Sequence, residues 1–419
     1  MIVGRRPAAI GRPFAVDLLL RPIVSDEVDA FVLADAYGFG ERLDDVERHE
    51  TWITGELDRT VAAFEGDAIV GTGRNYSLEV TLPGGAILPA AGVSWISTRP
   101  THRRRGVLRA VMTYLLEDAV AHGESAAMLT ASEGSIYGRF GFGPATTVMG
   151  VRLESAAVAF RDPPAPGRLR LVELEEASKL APELFDRVRR ARAGAVSRPD
   201  IWWPGEWAPR EPGHRFDVVY EVDGRLDGYV VYRVLGDWGE GFSDKHVEVR
   251  DLVAATPEAE RALWRYLCEI DLVQEVRAFA VPVDTELAWQ LHDARQVRTT
   301  SMRDFLWLRP LDVGALLSAR TYAESGELVL EVRDEMRPDG AAAGRFLLEG
   351  GPDGATCART DARADLTLGV ADLGSISLGA LSPVTLARAG RVEEHVEGAV
   401  SRARRMLATD RAPTCFTWF

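Results

Sequence analysis

The run His102-Arg103-Arg104-Arg105-Gly106 sets three guanidinium groups and a glycine directly before Leu108, Val111, Met112, Leu115, Leu116 and Ala119, whose spacing predicts an amphipathic helix. A helix N-terminus already carries roughly half a positive charge, so further cations are unfavourable there unless an anion neutralises them. Backbone N–H groups at the helix start, a glycine that permits close approach and flanking arginines make a cradle for phosphate or pyrophosphate. Read from its residues alone, the turn is either that cradle or a solvated basic surface. A second dense stretch, Glu133-Gly134-Ser135-Ile136-Tyr137-Gly138-Arg139-Phe140-Gly141-Phe142-Gly143, follows the next apolar strand. No Gly-x-Ser-x-Gly, Walker or zinc pattern is found, and His49, His102, His122, His214, His246, His292 and His395 form no ligand-like set, so a hydrolase or metalloenzyme is not supported and no metal is expected.

The elements that must position these residues alternate between strand and helix. A strand is expected at 18–22, a helix at 25–37 opened by Ser25-Asp26-Glu27, a hairpin around Gly66-Asp67, a strand at 91–98, the helix after Gly106 and a strand at 126–131. Arg161-Asp162-Pro163-Pro164-Ala165-Pro166-Gly167 reads as a linker. Beyond it the rhythm repeats, with strands at 216–222, 228–234 and 247–254 and a helix capped by Thr256 with Pro257 at its first position. Thr256-Pro257-Glu258-Ala259-Glu260 stands where the first copy has arginines and glycine, and an acidic helix start cannot cradle phosphate. From about Leu311 a third, α+β unit follows, with strands at 327–333, 344–349 and 365–369 and helices at 370–378 and 391–407.

Composition bounds the rest. A chain of 419 residues, 46% hydrophobic and 27% charged, predicts two or three globular domains and excludes wholesale disorder. The formal charge of −14 repels polyanions and argues against nucleic acid as the main partner, and Lys179 and Lys245 are the only lysines. Cys268, Cys357 and Cys415 lack metal or redox spacing, no run is long enough to span a membrane, and residues 1–13 lack the apolar stretch of a signal peptide. A cytoplasmic protein is the expectation.

Arg103 and Gly106 match the first two fixed positions of the acetyl-coenzyme A motif of GNAT acetyltransferases, Arg/Gln-x-x-Gly-x-Gly/Ala, while Leu108 departs at the last. Residues 100–110 and 130–145 together closely resemble the Eis (enhanced intracellular survival) family of N-acetyltransferases. The resemblance implies tandem GNAT-like α/β domains followed by a sterol-carrier-protein-like α+β domain: a catalytic domain at 1–155, a second without a cofactor motif at 165–308, and a third at 309–419 whose tail reaches the active site. It implies acetyl transfer from acetyl-coenzyme A to primary amines of a small cationic substrate such as an aminoglycoside, and assembly as a homo-hexamer. Lysine or peptide acetylation, or non-catalytic binding of acyl-coenzyme A or lipid, stays open as an alternative.

The same resemblance brings Tyr137 forward as general acid and the terminal carboxylate of Phe419 as proton acceptor. It assigns the cofactor to Ile96, Ser97, Thr98, Arg103, Arg104, Arg105, Gly106, Val107, Leu108 and Ser132, and the acceptor to walls made by Trp52, Trp95, Trp203 and Trp418. Phe39 and Trp418 stand where carboxylates favouring polycations are sought.

Overall fold

A computed structural model describes residues 18–42, 55–203, 214–238 and 243–419. The chain forms two compact units, Met1–Tyr76 with Val93–His122, and Ser77–Gly92 with Gly123–Phe419.

In the first unit β1 (Leu19–Pro22) pairs antiparallel with β2 (Thr60–Glu65), and β2 turns at Gly66-Asp67 into β3 (Ala68–Thr81). The expected helix at 25–37 is a single 3₁₀ turn, Ser25–Glu27, leading into α1 (Val28–Phe39). After β4 (Ile87–Thr98) and a 3₁₀ turn at Pro100–His102 comes α2 (Val107–Ala121), which buries Val107, Val111, Met112, Leu115, Leu116 and Ala119. Its period of 3.6 thus places one apolar face inward. Polar bonds fix α2 in place: Asp118 accepts from Arg59 at 2.9 Å and from Asn75 at 2.8 Å, and Asn75 also donates to the Leu115 carbonyl.

In the second unit, β4 pairs parallel with β5 (Ala126–Thr130) from Ala90↔Ala126 to Gly92↔Met128. The chain then makes β6 (Gly143–Pro144), β7 (Thr147–Glu154), β8 (Arg168–Val172), α3 (Leu174–Arg190), β9 (His214–Val222), β10 (Arg225–Leu235), β11 (His246–Ala254), α4 (Pro257–Cys268), β12 (Glu275–Pro282), α5 (Leu287–Gln290), β13 (Arg298–Asp304) and β14 (Leu306–Pro310). β7 does not stay beside β6 but enters a second sheet, ordered β13-β7-β12-β11-β10-β9-β8. Reciprocally, β14 returns to lie antiparallel between β5 and β6, with Leu306 opposite Thr130 and Trp307 opposite Pro144. The two α/β layers therefore exchange strands, so each sheet is completed by chain that flanks the other in sequence.

A third sheet follows α6 (Val313–Ser318) and comprises β15 (Gly326–Arg333), β16 (Gly344–Gly351), β17 (Gly354–Arg359), β18 (Leu366–Gly369) and, after α7 (Val370–Ser377) and α8 (Pro383–Arg388), β19 (Val392–Glu394), before α9 (Ala399–Leu407). Val313, Leu330, Phe346, Leu368, Leu373 and Met406 share its core. The helix expected at 391–407 is corrected here. Residues Val392–Glu394 pair with β18 instead, and the helix begins only after Gly398, whose φ of 84° no continuous helix tolerates. Among the described residues no helix is long and apolar enough to cross a membrane.

Candidate functional site

The basic turn lies in the first unit. Gly106 (φ 89°) is the N-cap of α2 and no side chain caps the helix, so its first-turn amides are not spent on a local acceptor. Arg104 also adopts the left-handed region, at φ 63°, a conformation costing a non-glycine residue about 1–2 kcal/mol. Arg104, Arg105 and Gly106 are exposed, Val107 is buried and Leu108 half-buried. Arg103 is exposed too but anchored, donating from Nη2 to the Gly38 carbonyl at 2.9 Å, and His102 Nε2 sits 2.7 Å from Glu65.

Strand β4 supplies Trp95, Ile96, Ser97 and Thr98 to the same unit. Trp95 is left-handed (φ 54°) within the strand, which breaks the pleat and re-aims the backbone groups that follow. Its indole donates to the Tyr76 hydroxyl at 2.8 Å and its ring lies 6.1 Å from Phe31. Ser97 Oγ lies 2.7 Å from Thr72 Oγ1, which donates to Asp35 at 3.2 Å. Burial pushes the Asp35 carboxyl up to about 6; the Thr72 and Ser97 hydroxyls oppose that rise and the Glu41 charge adds to it. Spacing did not point to this cluster, because its members come from α1, β3 and β4. The available signal was a carboxylate set among the apolar residues of 31–39.

The second unit carries the tyrosine and the tail. Ser132 is exposed after β5. Tyr137, 5% exposed, opens a 3₁₀ turn, Tyr137–Phe140, with its ring edge-on to Phe142 at 6.4 Å. Arg309 on β14 holds that turn by donating to the Phe140 carbonyl at 2.6 Å, and its other fork donates to Asp334 at 2.7 Å. Both side chains of that pair are sealed from water, at 0% and 1% exposure. The returning strand thus sets the tyrosine turn, a dependence no local motif announces.

The C-terminal segment is packed. Thr130 at the end of β5 donates to the Phe419 main-chain oxygen at 3.0 Å, and the Phe419 ring lies against Gly92, where an added Cβ would come within 3.2 Å of it. Thr417 is buried and bonds the Val196 carbonyl at 3.1 Å. Buried Arg198 donates to the Phe416 carbonyl and to Thr417, and pairs with Asp251 at 2.6 Å. That pair locks the tail against β11.

Of the four tryptophans expected at an acceptor pocket, two meet. Trp203 and Trp418 both line a solvent-open cleft in the second unit. Trp203 packs edge-on to Phe185 at 5.3 Å, while Trp418 is 61% exposed. Trp95 belongs to the first unit, and Trp52 lies outside the described residues. Among the described residues no group of three or more His, Cys, Asp or Glu side chains could hold a metal ion.

The two successive α/β layers, the first with a glycine-started helix after an arginine-rich turn and the second without that turn, match acetyltransferases of the GNAT class. Models described as "Acetyltransferase (GNAT) domain" match residues 20–145 and again 194–310, and a "Sterol carrier protein domain" matches 313–416. An uncharacterized N-acetyltransferase of Streptomyces avermitilis is 39% identical over 97% of this chain and 99% of its own length. N-acetyltransferase Eis of Mycobacterium tuberculosis is 36% identical over 83% of this chain and 85% of its own. The crystal structure of Eis1 from Mycobacterium abscessus superimposes with a TM-score of 0.85 at 32% identity, covering 96% of this chain and all of that one. With relatives so similar over nearly its whole length, the chain belongs to the Eis family of GNAT N-acetyltransferases. A GCN5-related N-acetyltransferase from Anabaena variabilis, at 18% identity and a TM-score of 0.84, shares the fold. The protein is thus an N-acetyltransferase with two GNAT domains and a sterol-carrier-type third, and GNAT acetyltransferases use acetyl-coenzyme A.

Proposed function

We propose that the protein transfers the acetyl group of acetyl-coenzyme A to a primary amine by direct attack on the thioester. The catalytic domain is 1–155, the second GNAT-like domain 165–308 serves as scaffold, and the third, 309–419, delivers the tail. The observation that carries the reading is the start of α2, where Gly106 leaves the first turn without a side-chain cap behind three arginines. That arrangement fits a pyrophosphate: amides and helix dipole point at the anion, and Arg103, Arg104 and Arg105 neutralise it. Val107 and Leu108 continue the cradle, Ser132 contributes a further hydroxyl, and the backbone of Ile96, Ser97 and Thr98 holds the pantetheine arm and polarises the acetyl carbonyl.

Acetyl-coenzyme A, when bound, supplies the thioester. The amine nitrogen forms the new N–C bond as the C–S bond breaks. The Phe419 carboxylate takes the proton lost by nitrogen, directly or through water, and the Tyr137 hydroxyl gives a proton to the departing sulfur. A terminal carboxyl with a pKa of about 3.5 is ionised at neutral pH and a weak base, so part of its work is to orient the incoming ammonium. Trp203 and Trp418, which line one cleft of the second unit, wall the acceptor.

Thiol release from acetyl-coenzyme A, measured for the intact chain and for one lacking Trp418 and Phe419, tests this reading. Activity that collapses in the truncated chain with acetyl-coenzyme A affinity retained supports both the reaction and the carboxylate. Equal activity in both removes Phe419 from the mechanism. Aminoglycosides as acceptors belong to the same family reading and enter the same assay; a homo-hexamer is checked by sizing in solution.

A further inference from the structure

The last turn of α1 touches both parts of the proposed cofactor site. Its Gly38 backbone lies directly on Ser97 of β4, where an added Cβ would come within 2.5 Å of Ser97 Cβ and 2.8 Å of its Oγ. The Gly38 carbonyl accepts from Arg103 of the basic turn at 2.9 Å. Just before it in α1, Asp35 accepts from Thr72 Oγ1 at 3.2 Å, and Thr72 Oγ1 lies 2.7 Å from Ser97 Oγ. Asp35 is half-buried and both hydroxyls are buried.

An ionised carboxylate can only accept, so Thr72 gives its hydrogen to Asp35 and Ser97 gives its own to Thr72. The three groups form a chain of one polarity, which fixes the Ser97 side chain just beyond the left-handed break at Trp95. Once protonated, Asp35 becomes a donor, the order can reverse, and the Ser97 hydrogen leaves the chain. Stability does not account for the carboxyl, because burial and the Glu41 charge both oppose its ionised form, and an amide of the same shape carries neither cost. Resting on the acetyl-coenzyme A reading above, we infer that Asp35 is a positioning residue of the cofactor site. Through Thr72 it orders Ser97, and the turn of α1 that carries it ties the strand for the pantetheine arm to the turn for the pyrophosphate. The charged and titratable groups that act on Asp35 or border it are Glu41 beyond α1, Tyr76 on β3 and Arg103 at the Gly38 carbonyl. Burial raises the Tyr76 hydroxyl, which stays neutral up to pH 8.

Acetyl-coenzyme A binding, followed by isothermal titration calorimetry on the parent and on Asp35→Asn from pH 5 to pH 8, tests this. At pH 8 the variant is expected to bind about fivefold more weakly, which converts to about 1 kcal/mol. The difference closes toward pH 5, where the parent carboxyl takes up its proton. The ratio of the two chains at each pH removes any titration of the cofactor itself. Thr72→Val is expected to weaken binding at pH 8 to a like extent, and Thr72→Ser to keep most of it. Asp35→Asn is expected to be no less stable than the parent in urea at pH 8, which separates positioning from a loosened fold. A ratio of one throughout overturns the inference while leaving the cofactor reading standing, as does weaker binding that comes with lost stability and does not change with pH. A parent chain that binds no acetyl-coenzyme A overturns the cofactor reading and this inference with it.

Discussion

Two helix starts, each following a strand of its own sheet, separate the two GNAT layers. At α2 the cap is Gly106 in the left-handed region, preceded by left-handed Arg104, and no side chain takes up the first amides. At α4, Thr256 Oγ1 accepts from the Ala259 amide at 3.1 Å, Pro257 has no N–H to offer, and Glu258 and Glu260 occupy the first turn. The first start carries strain and exposed donors; the second is satisfied and acidic. The same secondary structure thus leaves the first amides uncapped in one layer and capped in the other, and the anion site proposed above belongs to the uncapped start.

Carboxylates set into the structure are held in two ways, by an arginine or by a hydroxyl. Asp251, Asp227 and Asp217 in the second layer each face an arginine, Arg198, Arg187 and Arg215. Asp35 in the first faces the hydroxyls of Thr72 and Ser97, and burial leaves its carboxyl near 6. Glu260 in the second layer likewise accepts from a hydroxyl, that of Thr285 at 2.8 Å, and burial raises its carboxyl too.

The largest expected effect concerns the group the second layer lacks. After β12 the short helix α5 carries Trp289 and no tyrosine, whereas the corresponding turn after β5 carries Tyr137. Tyr137→Phe is expected to lower kcat about 10²–10⁴-fold, the usual worth of a positioned general acid, with acetyl-coenzyme A affinity held within a small factor. Stopped-flow thiol release and calorimetry check the two halves separately. An unchanged kcat removes the tyrosine from proton transfer.

Asp35→Asn comes next. The folded pKa, about 6, lies above the ordinary value of 3.8, so the native state holds the proton more tightly than the unfolded chain. Its stability contribution is complete below about pH 4 and is lost as pH rises through 6. The asparagine variant is therefore expected to be more stable than the parent at pH 8 by about 1–3 kcal/mol, and nearly equal to it at pH 4. Urea unfolding at the two pH values decides, and a difference of the opposite sign at pH 8 contradicts the assignment of burial as the cause.

The smallest effect belongs to the second helix start. Thr256→Ala removes the α4 cap and is expected to cost about 1 kcal/mol of stability, with no change in acetyl-coenzyme A affinity. Thermal unfolding beside a binding titration measures both. A loss of cofactor affinity would mean that the second layer takes part in binding.

How much of this was legible in sequence depended on the range of the interaction. The α2 stripe and the Thr256-Pro257 start of α4 are local signals, periodicity and capping, and both stand where they were expected. The Gly66-Asp67 hairpin is equally local. The return of β14 between β5 and β6 was not visible, because Leu306 pairs with Thr130 across the length of an entire domain. For the same reason the anchoring of Arg103 on Gly38 and the support of the Tyr137 turn by Arg309 could not be read from spacing. The error at 391–407 arose where a polar, glutamate-rich run suited helix and edge strand alike, and pairing with β18 decided it. Of the residues proposed for chemistry, the turn before α2 offered two readings from first principles, an anion cradle or a solvated basic surface. Tyr137 and Phe419 rested on family resemblance, and their surroundings became describable only in three dimensions.

The most direct measurement is the stoichiometry of acetyl-coenzyme A binding by isothermal titration calorimetry, on the parent chain and on the double variant Arg104→Glu/Arg105→Glu. One site per chain, weakened about 100-fold or more in the double variant, is the result expected if the α2 start alone holds the pyrophosphate. Two sites per chain, or an affinity untouched by reversing both charges, would contradict the division between the two layers.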